Sequence, residues 1–191
     1  MVYNSNLRSD EDLQKVTVGE IKPLKTPIII LEYDPCWPEL FEREANRIRF
    51  LLGEKVLLLE HVGSTSVPGL CAKPIIDILL VVADSSNEKS YVSDLEAAGY
   101  TLRIREPEWF EHRMFKGPDT DINLHVFSEG ESEVKRIMKF RNWLRANPSD
   151  RDKYASVKRS LAKREWRHVQ HYADEKTSIV KEIMERANKS N

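Results

Sequence analysis

Between Pro74 and Val82 the chain runs almost unbroken through apolar residues, and the one interruption is a charge, Asp77. An apolar run of that length without polar alternation reads as a strand buried on both faces, so the chain is predicted to build a covered sheet around it. An ionisable group in such a strand is costly unless it is paired or put to use. Just upstream, Val56 to Val62 reads as a second strand that ends in a turn of small residues, Gly63-Ser64-Thr65-Ser66-Val67-Pro68-Gly69. Asp77 follows Gly63 by 14 residues, on a strand that can lie beside this turn.

The remaining elements follow from periodicity. Ile28 to Leu31 reads as a short strand, and Asp34-Pro35 as the N-cap and first position of a helix whose stripe is Trp37, Leu40, Phe41, Ala45, Ile48 and Leu52, closed by Gly53. A helix is predicted over 86–98, strands over Tyr100 to Arg105, Arg113 to Lys116 and Asp121 to Phe127, then helices over 132–146, 150–164 and 173–188. The fold class is α/β (α+β), a mixed sheet with flanking helices and a C-terminal helical cap. Residues 1–26 read as a loosely ordered arm, 27–187 as one domain (27–130 the sheet layer, 132–187 the cap) and 188–191 as a tail. With no apolar run near the roughly 20 residues of a spanning helix and no secretory leader, a soluble cytoplasmic protein with no membrane partner is expected. Cys36 and Cys71 are too few for a disulfide framework and lack the paired spacing of a zinc site.

The near-neutral balance hides two unlike parts. Residues 1–133 carry 14 Lys and Arg against 24 Asp and Glu, net −10, and residues 134–191 carry 16 against 7, net +9. In the three cap helices the cations interrupt the apolar stripes: Arg141 and Arg145 among Val134, Ile137, Met138 and Leu144; Lys158 among Tyr154, Val157 and Leu161; Lys176 among Tyr172, Ile179, Val180 and Ile183. Buried charge needs an anionic counterpart, so Arg141, Arg145, Lys158 and Lys176 are expected to line a cleft facing Gly63-Ser64 and Asp77, with a small anionic or phosphorylated ligand as partner. The alternatives are stems that snorkel to the rim and ion pairs between the cap and the acidic part. A nucleic-acid partner is disfavoured, because the acidic part repels a polyanion.

The Gly63 turn offers backbone N–H groups and three hydroxyls to an anion, although as a bare pattern it is more often a plain structural turn. It is no Walker loop, since Leu70 follows its second glycine and Lys73 comes four residues later. Asp77 reads either as a metal carboxylate or as the partner of a base such as Lys73. Asp121, Asn123 and His125 share one face of their strand by period two, as a metal or substrate edge or as a plain polar face. His61 either contacts a phosphate or is hydrogen-bonded structurally, and Cys71 reads as a small buried side chain.

The segment from His61 through Gly63-Ser64-Thr65-Ser66-Val67-Pro68-Gly69 to Lys73-Pro74-Ile75-Ile76-Asp77 resembles the GrpB family of the nucleotidyltransferase superfamily. Further stretches resemble it too: Asp34-Pro35-Cys36-Trp37-Pro38, Asn123-Leu124-His125-Val126-Phe127, Phe140-Arg141, Leu144 to Pro148, Tyr154, Lys158-Arg159 and Tyr172 with Lys176. The resemblance implies a nucleotidyltransferase fold and little about activity; the leading reading of the turn and Asp77 is a metal-dependent transferase using Mg2+ with ATP or another nucleoside triphosphate. On that reading Asp77 and His125 are expected as catalytic, Asp77 and Asp121 as metal ligands, and Gly63, Ser64, Thr65, Ser66, Lys73, Arg141, Arg145, Lys158, Tyr172 and Lys176 as nucleotide- or phosphate-binding, with Gly63-Ser64 and Asp77 the positions that the resemblance itself carries over. One position departs from the pattern: the second carboxylate of the superfamily's paired motif belongs at residue 79, which is Leu79. The competing reading is a binding module that grips an anion and transfers nothing.

Overall fold

The apolar run becomes an interior strand of a five-stranded mixed sheet. The computed structural model describes residues 7–190. Its strands are β1 (Leu58–Val62), β2 (Ile76–Val82), β3 (Thr101–Glu106), β4 (His112–Lys116) and β5 (Ile122–Ser128), in the order β1-β2-β5-β4-β3. β2 pairs antiparallel with β1 and parallel with β5; β4 pairs antiparallel with both β5 and β3. The helices are α1 (Asp10–Val16), α2 (Trp37–Leu52), α3 (Val92–Ala97), α4 (Ser132–Ala146), α5 (Pro148–Ala162), α6 (Val169–Glu175) and α7 (Thr177–Lys189).

Strand alternation divides the sheet into two faces. Ile76, Ile78, Leu80 and Val82 of β2 join Leu124 and Val126 of β5 in a core under the α2 stripe of Trp37, Phe41, Ala45, Ile48 and Leu52. On the other face Leu79, Val62 and Phe127 pack with Val134, Ile137 and Met138 of α4. Beyond α4, the segment after the turn (Val67, Leu70, Cys71) sinks into the cap against Leu144, Tyr154, Ile179 and Ile183. The cap helices therefore meet the sheet at the end where β2 and β5 both begin. That is the end carrying Asp77.

Several elements differ from the sequence expectation. Ile28 to Leu31 forms no strand: Leu31 exchanges two backbone bonds with Ala72 (2.8 and 2.9 Å) as one isolated bridge, because Ile28 is drawn into a cluster with Leu161 and Tyr172. α2 starts two residues later than predicted. The Asp34 carboxylate accepts the Cys36 N–H (2.8 Å) in a turn ahead of the helix, and Pro38 occupies its first turn. The helix predicted over 86–98 shortens to α3, since Asp84 accepts both the N–H and the hydroxyl of Ser86 and holds that stretch in turns. The last predicted helix is two, α6 and α7, joined at Lys176. Within the expected loose arm, residues 10–16 are helical, and the Val18 N–H bonds the Arg103 carbonyl of β3 (2.9 Å).

Leu79 is fully buried in its apolar cluster, so restoring a carboxylate there strands a charge. Leu79→Asp is expected to cost about 3 kcal/mol or more in urea unfolding, and Leu79→Met less than about 1.5 kcal/mol.

Candidate functional site

Where β1 ends, the register sets Val62 opposite Asp77, and Gly63 turns the chain with φ 67°. A Cβ on Gly63 would stand 2.2 Å from Asp77 Oδ2, so the absent side chain is what admits the carboxylate. Asp77 Oδ1 accepts the Asn123 side-chain N–H (2.8 Å), and His125 Nε2 stands 3.8 Å from the same oxygen. Asn123 and His125 lie beside Asp77 and Leu79 in the parallel register with β5, on the face covered by α4. The Asp77 side chain is 30% exposed. Burial opposes its ionisation, but His125, the Asn123 hydrogen bond and the Lys73 charge together hold its carboxyl below the usual range.

Three lysines approach this end from the loop and the cap. Lys158, 2% exposed, donates to the Cys71 carbonyl and lies 4.9 Å over the Tyr154 ring. Lys73 and Lys176 both lie over the Tyr172 ring, at 5.6 and 4.5 Å from its centre. Among the described residues, none of the three has a carboxylate within ion-pair distance, although the Asp77 charge acts on each. Burial lowers all three, Lys158 to about 7 and Lys176 to about 8. Burial raises the Tyr154 phenol, and the nearby Ser64 side chain opposes that shift. Tyr172 is 1% exposed and its hydroxyl has no partner among the described residues.

Lys158, Lys176, Lys73, Tyr172 and Ser64 therefore gather with Gly63 and Asp77, but other expected members do not. Arg141 Nη1 donates to Glu60 Oε2 (2.7 Å) and to the His61 carbonyl (2.8 Å), and Arg145 donates twice to the Ser66 carbonyl (3.0 and 2.7 Å). Both arginines line a separate cavity of about 370 Å³, with Tyr33, Phe41, Glu60 and His61. Thr65 and Ser66 are buried and turn inward: Thr65 Oγ1 lies 3.0 Å from His61 Nε2, and the Ser66 hydroxyl donates to the Gly63 carbonyl (2.6 Å). His61 stacks on Phe41, and burial takes it down to about 4, which fits the structural reading. Asp121 precedes β5 and pairs with Lys116 (2.9 Å). No group of three or more His, Cys, Asp and Glu side chains is gathered for a metal among the described residues.

Sequence reasoning missed two neighbours. His112, predicted just outside β4, begins that strand, and its Nε2 lies 3.0 Å from His125 Nδ1. Glu106 Oε2 accepts from His112 Nδ1 at 2.7 Å across the β3–β4 pair. Neither residue sits in a motif; only the strand register reveals them.

The family profile described as GrpB protein matches residues 27–186. The UPF0157 protein BH1888 of Halalkalibacterium halodurans is 72% identical over 185 residues, spanning 97% of this chain and 95% of the relative. The UPF0157 protein SCO7215 of Streptomyces coelicolor is 42% identical over 174 residues, spanning 90% and 91%. The crystal structure of conserved protein GrpB from Enterococcus faecalis superimposes with a TM-score of 0.75 at 35% identity, over 85% of this chain and 98% of that one. No described helix is long and apolar enough to cross a membrane.

Gly63→Ala places its Cβ in the Asp77 carboxylate at a positive φ, so a loss of about 2 kcal/mol or more is expected in thermal or urea unfolding. The lysines give a pH signature. Their folded values lie below the ordinary 10.5, so between about pH 7 and 10.5 the folded chain holds fewer protons than the unfolded one. Their burial cost is present at low pH and fades as pH rises. Wild-type stability relative to Lys158→Met is therefore expected to increase from pH 6 to pH 10 in paired urea titrations.

Proposed function

The chain belongs to the GrpB family, and from that membership and the lysines gathered near Asp77 we propose that it binds a phosphorylated small molecule, foremost a nucleoside triphosphate. The observation that carries this reading is the trio Lys73, Lys158 and Lys176, brought together around Tyr154 and Tyr172 without a carboxylate partner. Burying Lys158 and half-burying Lys73 and Lys176 without an ion partner is unfavourable, and a ligand bearing several negative oxygens removes that cost. Lysine suits the task as a compact point charge with three donors, able to serve oxygens in several directions. Tyr172 holds two of the cations by its ring face, and Ser64 supplies a hydroxyl at the turn. A cytoplasmic location accompanies such a ligand.

The paired-carboxylate magnesium site that the resemblance implies does not fit these residues. Leu79 fills the second position as a buried apolar side chain, and Asp121 is engaged by Lys116. Nucleotidyl transfer therefore has no step assigned to these side chains, and binding of the anion is the reading they support.

Calorimetric titration at low salt with ATP, GTP, CTP, UTP and inorganic tripolyphosphate tests it. At least one of these probes should bind, and Lys158→Met and Lys176→Met should each weaken it by about tenfold or more, since a hydrogen bond to a charged group contributes roughly 1.5–3 kcal/mol. Absence of binding by all five at millimolar concentration, or lysine variants that bind like the wild type, overturns the proposal.

A further inference from the structure

The cavity lined by the two cap arginines lies along β1, which is an edge strand of the sheet, between residues of α2 and α4. Its floor is buried: Phe41, Leu59 and the His61 ring, which stacks on Phe41 with centres 4.9 Å apart and planes 9° apart. Burial takes His61 down to about 4, so the ring is uncharged and belongs to the floor. Tyr33, set edge-on against Trp37, stands half-buried at the side. The volume of about 370 Å³ falls within the range of small-molecule sites. Charged groups complete the lining, and most of them are matched. Arg141 meets Glu60 at 2.7 Å, and Arg49 lies 3.9 Å from Glu42. Arg145 is left over: among the described residues it has no carboxylate within ion-pair distance, and its Nε and Nη2 both donate to the Ser66 carbonyl.

A guanidinium carries its N–H donors in a fixed fork. Donation to Ser66 uses the Nε hydrogen and one hydrogen of Nη2, on the side of the group where those two point the same way. The end of the group, Nη1 with the second hydrogen of Nη2, keeps the paired arrangement that meets a carboxylate with two parallel bonds. The charge of the lining fits one such group. Arg49, Arg141 and Arg145 stand against Glu42 and Glu60, a balance of one positive charge, so a single carboxylate neutralises it and a polyphosphate is repelled by the two glutamates. The floor is apolar and aromatic, which suits a flat ring. We propose that this cavity binds a small aromatic monocarboxylate, with its carboxylate on the free end of Arg145 and its ring on the Phe41, Leu59 and His61 floor beside Tyr33. This site is separate from the lysines near Asp77 in place and in charge, so it stands or falls without the phosphate reading.

The experiment titrates the full chain with phenylacetate, cinnamate and naphthoate at low salt, following backbone amides and arginine Nε–H groups in nitrogen-15 spectra. At least one acid should bind as one equivalent with a Kd below about 1 mM, and the shifts should centre on His61, Ser66 and the Arg145 Nε–H. The uncharged amide of the same acid should bind about tenfold more weakly or worse, as should the acid to Arg145→Gln. Arg145→Gln also removes the bonds to Ser66, so a change at the exposed rim gives a test of opposite sign. Glu42→Gln removes a repelling carboxylate and should tighten binding by about twofold or more. Absence of binding by all three acids at millimolar concentration, equal affinity for acid and amide, undiminished binding by Arg145→Gln or no tightening by Glu42→Gln overturns the proposal. Shifts gathered at Lys73, Lys158 and Tyr172 overturn it as well and leave the phosphate reading standing. Carboxylate binding at Arg145 without any binding of tripolyphosphate does the reverse.

Discussion

The contact on which the site depends is the approach of the Asp77 carboxylate to the main chain at Gly63. No residue with a side chain can stand there, since its Cβ would overlap Asp77 Oδ2. The antiparallel register between β1 and β2 brings them together, and the same register lets Gly63 leave the sheet at a positive φ, so that Thr65 and Ser66 turn back under the strand end. A carboxylate fixed against backbone in this way loses little further freedom when a cation or a ligand arrives, and such preorganisation is what makes a site on a rigid strand accurate.

Leu79 marks how far that site extends. Two residues along the same face, it belongs to the apolar seam under α4, with Val62 and Phe127. A carboxylate there would have to lie among Val134, Ile137 and Met138, out of reach of water. The polar part of the face therefore runs sideways rather than along β2, from Asp77 to Asn123 and His125 on β5 and then to His112 on β4. Parallel pairing of β2 with β5 permits this, because it places the first residues of both strands side by side at one end of the sheet.

Much of this was legible in the sequence, and the failures share a cause. The apolar run announced β2, and period two put Asn123 and His125 on a single face. Periodicity in the cap showed that Lys158 and Lys176 point inward. It could not show toward what: Arg141 and Arg145 point inward as well, yet they meet the far side of the turn, because α4 crosses the end of β1 while α5 to α7 close over Cys71 and Tyr172. Ile28 to Leu31 has strand composition, but its pairing depends on a neighbour that the sheet does not supply beyond Ala72. The Glu106, His112 and His125 contacts arise from register across a hairpin, a long-range property with no local signature.

The segregation of charge between the two parts of the chain then resolves by residue type. Arginine in the cap acts on the protein itself: Arg141 and Arg145 use their forked donors on the carbonyls of His61 and Ser66, on either side of the Gly63 turn, while Arg159 meets Glu32 and Arg167 meets Asp10. A planar guanidinium suits fixed acceptors of that kind, since its geometry is set before it binds. Among the described residues, the cations left without a carboxylate near Asp77 are lysines, held by tyrosine rings and by one carbonyl. Their weak local engagement is a consequence of the division: arginines that immobilise the turn free the lysines from structural duty, and the positive charge that remains is concentrated where Asp77 meets Gly63.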